Sequence, residues 1–234
     1  RSDPDDVPLR AGASAAGRSG GPGSIKRMKI GICGGTFDPF HRGHLDPVLA
    51  VRDQMEWSRI FYIPAFRQPF KTDRDSVSGY HRFAMAVLAT QTLDEVFVSP
   101  RELDRGTISY TVETLRELRA ENPQATLDWI IGDDNLARLD EWKELDRIFE
   151  LANFVVLTRS GGQAILPART GRIACPPQKR GTHGDVVLAE NKLVPVSSTE
   201  VRRRVRAGET IDDLVDSRVS RYIHHNGLYR EAQQ

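Results

Sequence analysis

Cysteine is scarce in this chain: Cys33 and Cys175 are the only two in 234 residues, and neither belongs to a C-x-x-C pair. A pair so far apart, with no metal spacing, argues against a disulfide scaffold and suits a reducing compartment. An excess of one charge is lacking too, since 33 Lys and Arg face 32 Asp and Glu for a formal charge of +1. No global field therefore draws the protein to nucleic acid or to a membrane surface, and any anion binding has to be local. No apolar run reaches the length of a membrane span or a secretory core, so the expected location is cytoplasmic. Two familiar phosphate-loop signatures are also missing, because no G-K-S/T follows the glycines near residue 34 and they are not spaced as G-x-G-x-x-G.

What is present is enough for one core. With 39% hydrophobic residues, a chain of this length defaults to a single α/β domain. Residues 1–27 are rich in Gly, Ala, Ser, Arg and Asp and show no period, so they are expected to be a disordered extension outside the fold. Asp3, Asp5 and Asp6 do not fit a transit peptide, and Met28 stands directly before the first strand. The expected domain is 28–230, leaving 231–234 as a tail.

Strand and helix signals alternate along that domain. Lys29 to Cys33 is a short apolar run that ends in a glycine turn, and Leu45, Val48, Leu49, Arg52 and Met55 then recur at helical spacing from His44 onward. Pro47 requires a place near the first turn of that helix, where backbone donors lack partners anyway. Further strands are expected at 60–63, 95–98, 126–131 and 153–157, with helices at 79–92 and 110–121 and helical pieces between Asp133 and Glu150. Residues 159–191 break the rhythm and read as a long surface excursion. Order is expected to return with a strand at Lys192 to Val196, a helix at Ser198 to Ala207, and a last helix from Val215 to Asn226 stopped by Gly227. Such alternation implies right-handed βαβ units and a doubly wound parallel sheet, whose ligands sit beyond the carboxyl ends of the strands.

At the first strand-to-helix turn stands Gly34-Gly35-Thr36-Phe37-Asp38-Pro39-Phe40-His41-Arg42-Gly43-His44. Glycines let the backbone approach a ligand, and a helix start offers free N–H groups and positive dipole to phosphate. His41 and His44, three apart, project to nearly one side and suit phosphate oxygens. Half a metal site is the other reading of such a pair, but no Cys, Asp or Glu cluster supplies the remaining ligands at a recognisable spacing.

This segment resembles the H-x-G-H signature of the nucleotidylyltransferase superfamily, and its G-G-T-F-D-P opening is most similar to bacterial nicotinate-nucleotide adenylyltransferases. Four further segments follow in the family's order: Ser109-Tyr110-Thr111-Val112-Glu113-Thr114-Leu115, Ile131 to Leu136 with Trp142, Ser197-Ser198-Thr199-Glu200-Val201-Arg202, and Tyr222-Ile223 to Gly227-Leu228-Tyr229. Together they cover nearly everything from Met28 to Tyr229. The resemblance implies a Rossmann-like nucleotidylyltransferase fold and transfer of AMP from ATP to nicotinate mononucleotide. The mononucleotide phosphate attacks the α-phosphorus in line and needs no enzyme nucleophile.

The same resemblance implies the roles. Gly34, Gly35, Thr36, Phe37, His41, His44, Gly132, Asp134, Ser198, Thr199 and Arg202 match positions that hold ATP, with His41, His44 and Arg202 carrying the chemistry. Thr36, Phe37, Lys71, Thr111 and Trp142 match positions around the mononucleotide, and Mg²⁺ is expected to ride on the triphosphate. Asp133 replaces a commonly small residue, which leaves open whether it or Asp134 meets ATP. The loop Gln68-Pro69-Phe70-Lys71 stands where the family commonly has P-P-H-K, so Phe70 removes a polar side chain.

Phosphopantetheine adenylyltransferases and cytidylyltransferases share the chemistry, but the Ser109 to Leu115 segment, Trp142 and the Tyr222 to Tyr229 ending favour the nicotinate branch. A class I aminoacyl-tRNA synthetase fragment would bring a K-M-S-K-S-like loop, an anticodon domain and a basic surface, none of which is evident.

Overall fold

The computed structural model describes residues 27–70, 76–158 and 184–230. The expected extension at 1–27 therefore lies outside the described residues except for Arg27, as do Lys71, Cys175, most of the expected excursion and the tail.

Six strands form one parallel sheet: β1 (Lys29–Gly35), β2 (Arg59–Pro64), β3 (Val96–Val98), β4 (Thr126–Gly132), β5 (Asn153–Leu157) and β6 (Val186–Ala189). Their spatial order is β3-β2-β1-β4-β5-β6. Strand order thus reverses between β1 and β4, which opens a crevice at their carboxyl ends where ligands of such sheets bind. Both faces of the sheet are covered, and the strand sequences show it: Ile30 and Ile32 on one face of β1 are fully buried, while Cys33 on the other is nearly so.

On the Cys33 face pack α1 (Arg42–Met55), α2 (Gly79–Thr90), α6 (Ser198–Ala207) and α7 (Ser217–His225), through Val48, Val51, Met85, Ala86, Val201 and Ile223. On the Ile30 face pack α4 (Thr111–Glu121) and α5 (Leu145–Leu151), through Val112, Leu115, Leu118, Ile148 and Leu151, with a 3₁₀ helix (Asp133–Glu141) leading into α5. A short α3 (Arg101–Arg105) follows β3. Five residues are too few to display a helical period, which is why the sequence pattern does not announce it.

Local signals decide the helix ends. Ser78 caps α2 by accepting the Tyr80 N–H, Ser197 caps α6 by accepting that of Glu200, and Asp216 caps α7 by accepting that of Arg218. Gly208 stops α6 at φ 69°, donating to the carbonyls of Arg204 and Val205.

Two expectations are corrected. Lys192 to Val196 is not a strand; the sixth strand is Val186–Ala189, inside the stretch expected to be an excursion. Pro195 explains the difference, because a residue without an N–H serves a ladder poorly, whereas Val186 to Ala189 is an uninterrupted apolar run. The first helix begins at Arg42, so Pro47 is its sixth residue rather than part of its first turn. The Gly43 carbonyl consequently lacks its usual helical donor.

Candidate active site

The loop from Thr36 to His41 connects β1 to α1 across the crevice mouth. Gly34, Gly43, His44, Ile131, Gly132 and Leu157 line that crevice, so the first glycine turn and the end of β4 face one space. Gly34 is required by its neighbour: a Cβ there would stand 2.6 Å from the Trp129 ring.

His41 caps α1 and His44 is its third residue, and their rings stack with centroids 3.7 Å apart. The His41 backbone N–H donates to His44 Nδ1 at 3.3 Å. With Nδ1 an acceptor, the neutral His44 ring carries its proton on Nε2, which makes that atom the ring's donor and of the type a phosphate oxygen accepts from. His41 is buried, and Gly43 leaves room for it, since a Cβ at Gly43 would lie 2.8 Å from the Val196 carbonyl and 3.0 Å from the His41 ring.

Phe37 stands at φ 54° with its side chain buried against Phe40, His44 and Tyr62, so only its backbone is offered to a ligand. Thr36 Oγ1 is buried and lacks a hydrogen-bond partner. Its carbonyl accepts from Arg82 at 2.5 Å.

The start of α6 docks onto this same loop. Ser198 Oγ donates to the Pro39 carbonyl at 3.1 Å, and the Arg202 guanidinium donates to the Asp38 carbonyl at 2.5 Å and lies 4.0 Å from its carboxylate. Thr199 is exposed beside them. Two helix N-termini and their cationic or donor side chains therefore converge on one loop, a donor set that suits phosphate oxygens rather than a metal cation. Among the described residues no three His, Cys, Asp or Glu side chains are grouped to hold a metal ion.

Across the crevice, Asp133 and Asp134 open the 3₁₀ helix directly after Gly132, Asp133 half-buried and Asp134 exposed. Thr111 is the first residue of α4 and half-buried. Trp142 follows the 3₁₀ helix and packs edge-on against Phe154, 5.8 Å between centroids, so part of its ring serves the core. Lys143 ties these two regions together, reaching the Tyr110 ring at 4.2 Å and the Glu113 carboxylate at 2.9 Å. At the mouth, exposed Phe70 lies under the Arg138 guanidinium, 4.6 Å from ring centre to cation, which turns the lost polar side chain into a contact between the loop after β2 and the 3₁₀ helix.

Three further residues, Asp38, Tyr229 and Arg82, frame this site. The Asp38 carboxylate accepts the Tyr229 hydroxyl at 2.6 Å. Burial, reinforced by the Asp38 charge, holds that phenol far above its usual range. Arg82 is almost wholly buried and donates to the carbonyls of Thr36, Ala65 and Val77, which pins the carboxyl ends of β1 and β2. Burial pulls its guanidinium below the ordinary value, and the nearby Asp38 carboxylate offsets part of that. A charged residue amid the apolar face Phe83-Ala84-Met85-Ala86 was the only hint.

Comparison with known proteins agrees with this geometry. The family model described as cytidylyltransferase-like matches residues 32–204. A Corynebacterium jeikeium protein named "Probable nicotinate-nucleotide adenylyltransferase" is 38% identical over 201 residues, covering 86% of this chain and 100% of its own. One of the same name from Saccharopolyspora erythraea is 37% identical over 209 residues, covering 88% and 91%. Among solved structures, Plasmodium falciparum nicotinic acid mononucleotide adenylyltransferase complexed with NaAD shares the fold at TM-score 0.67 and 18% identity, covering 87% of this chain and 98% of that one. The chain belongs to the cytidylyltransferase-like family, within the group whose members carry the name nicotinate-nucleotide adenylyltransferase.

Proposed function

We propose that this protein transfers AMP from ATP to nicotinate mononucleotide, giving nicotinate adenine dinucleotide and pyrophosphate, as its family relationship implies for NAD biosynthesis. The observation that carries the reading is the convergence of the α1 and α6 N-termini, with His44 and Arg202, on one loop at the β1/β4 crevice. Phosphate groups repel one another, so bringing two polyanions together requires a concave array of donors, and this is one.

In the proposed arrangement the backbone of Gly34, Gly35, Thr36 and Phe37 approaches the phosphates, and His41 and His44 serve the α and bridging region. Ser198, Thr199 and Arg202 hold the β and γ phosphates, while Gly132 and Asp134 meet the ATP nucleoside. Lys71, Thr111 and Trp142, with Thr36 and Phe37, serve the mononucleotide. Its phosphate oxygen attacks the α-phosphorus in line, and the P–O bond to pyrophosphate breaks without a covalent enzyme intermediate. Charge grows on the departing pyrophosphate, where His44 Nε2–H donates a hydrogen bond and the Arg202 guanidinium offsets the charge. Mg²⁺ carried on the triphosphate oxygens supplies additional charge neutralisation, held by phosphate and water rather than by a protein cage. We assign residues 28–230 to this single domain and the cytoplasm as its location; among the described residues no helix is long and apolar enough to cross a membrane.

Pyrophosphate release, measured with ATP and a panel of mononucleotide acceptors, tests the reading. A carboxylate only accepts hydrogen bonds, so a site of N–H and O–H donors leaves the NH₂ of an amide facing donors. An unpaired buried polar group costs about 1 to 3 kcal/mol, so kcat/KM for nicotinate mononucleotide should exceed that for the nicotinamide form by about 5- to 150-fold. The ratio should shrink in Thr111→Val. Equal efficiencies in the wild type refute the donor-only acceptor site, and activity only with another phosphate acceptor refutes the assignment.

A further inference from the structure

Tyr62 stands within β2, fully buried on the Cys33 face of the sheet and in register with Cys33 of β1. A phenol buried this deeply has to find a partner for its hydroxyl. It finds one at the site: the hydroxyl donates to the His44 carbonyl at 3.0 Å. A carbonyl can only accept, so the direction of the bond is fixed. Burial pushes the phenol well above its ordinary range, so it keeps the proton that it donates.

The tyrosine ring bears on the same histidine. Phe37 and Phe40 stand edge-on to Tyr62 at 5.8 and 5.0 Å between centroids, and the same two rings lie 4.9 and 5.5 Å from the His44 ring. Tyr62 thus meets His44 at its backbone directly and at its ring through two phenylalanines.

The start of α1 has a use for such a tie. Pro47 brings no N–H to the Gly43 carbonyl, so the turn that carries His44 is joined to the rest of the helix by one rung fewer. The His44 N–H donates back to the His41 carbonyl at 2.9 Å and the His41 N–H to His44 Nδ1, bonds that close the turn on itself without fixing it to the sheet. Arg42 is held to the segment before α7 by its N–H donating to the Leu214 carbonyl at 2.9 Å. The Tyr62 hydroxyl adds a tie to β2, a strand paired on both sides, with β1 and β3. A rigid strand is the better anchor for a group whose placement decides a rate.

We propose that Tyr62 is a positioning residue for the transfer step: its hydroxyl fixes the turn carrying His44 against β2 and so keeps His44 Nε2–H in place for the phosphates. This rests on the reading in which His44 serves the α and bridging phosphate region. Tyr62 itself touches no reacting atom and acts through His44.

Tyr62→Phe tests it, because the ring still fills the core and only the hydroxyl is lost. The kcat should fall about tenfold, the effect of losing one hydrogen bond that holds the donor, while KM for ATP and for nicotinate mononucleotide stay within about twofold. In a His44→Ala background the same substitution should lower kcat by less than about twofold, since two residues acting through one group are not additive. Hydrogen exchange at the His44 amide should quicken in Tyr62→Phe relative to the Ile130 amide of β4, a readout independent of any substrate. Unchanged relative exchange overturns the tie. Quicker exchange with kcat unchanged, or with the KM values raised in place of a kcat loss, overturns the positioning role. A tenfold loss that persists in full without His44 shows that Tyr62 acts elsewhere and overturns the proposal as well. Should the wild type form no dinucleotide at all, the functional reading fails, while the exchange measurement still decides whether Tyr62 holds the turn.

Discussion

Replacing Gly43 by alanine sets two opposed effects against each other. Alanine in a helix is ordinarily favoured over glycine by about 0.5 to 1 kcal/mol, so on propensity alone the variant should be more stable. Here the new Cβ would lie 2.8 Å from the Val196 carbonyl oxygen, with His41 ring atoms at 3.0 and 3.1 Å. A backbone oxygen cannot rotate away as a side chain does, so either α1 or the segment entering α6 must shift. Overpacking of this kind costs about 1 to 3 kcal/mol, which exceeds the propensity gain and leaves a net loss of up to about 2 kcal/mol. The catalytic effect should be larger than the loss of stability. Val196 leads directly to Ser197, Ser198 and Arg202, so a shift there separates the two donor arrays, and a misplacement near 1 Å costs about 10²-fold in rate. Urea unfolding and initial rates of pyrophosphate release measure the two terms. A Gly43→Ala protein that is more stable than wild type and retains its kcat would show that the Val196 carbonyl yields freely, and would refute the argument.

Two other outcomes are expected. His44→Ala should lower kcat by about 10² to 10³, the scale of losing one preorganised donor to developing charge. It should also cost about 1 kcal/mol of stability, because His44 Nδ1 accepts a helix-start N–H; a stability loss at unchanged kcat would make the histidine structural. Glu200 responds to pH: hydrogen bonds from Arg203 and Arg204 hold its carboxyl down at about 2, below the ordinary 4.5. A depressed acid stabilises the fold above its ordinary value and loses that contribution as pH falls through about 2. The melting-temperature gap between wild type and Glu200→Gln should thus close on acidification from about pH 5 to 2, and should narrow in roughly 1 M salt because the cluster is exposed. A gap that ignores pH would remove the ion cluster from α6 stability.

Much of the architecture was legible because buried parallel strands read as unbroken apolar runs, as Ile130-Ile131 and Phe154 to Leu157 do. The Lys192 to Val196 stretch misleads by its apolar Leu193, Val194 and Val196 on either side of Pro195, while the true edge strand hides in a glycine-rich, basic surrounding. Within the site, the H-x-G-H loop and the Ser197 cap announce themselves through helix-start chemistry. The framing residues do not. Asp38 and Tyr229 are 191 positions apart, and the buried Glu102 carboxylate of α3 meets the Thr114 hydroxyl of α4 only because α3 folds back; no local period records such meetings. Arg82 is similar, since its three carbonyl partners are the residues just after β1 and just after β2 and one in the loop before α2.

The bond from Tyr229 to Asp38 has a consequence for synthesis of the chain. The phosphate loop emerges from the ribosome well before α6, which supplies Arg202, and before the tyrosine that grips Asp38. At about 5 to 20 residues per second, the 191-residue separation corresponds to about 10 to 40 s during which the loop exists without its partners. Nascent chains halted before α6 would carry both histidines yet only one of the two donor arrays. Competence for the reaction therefore waits for the segment from α6 to Tyr229 rather than accumulating residue by residue before it.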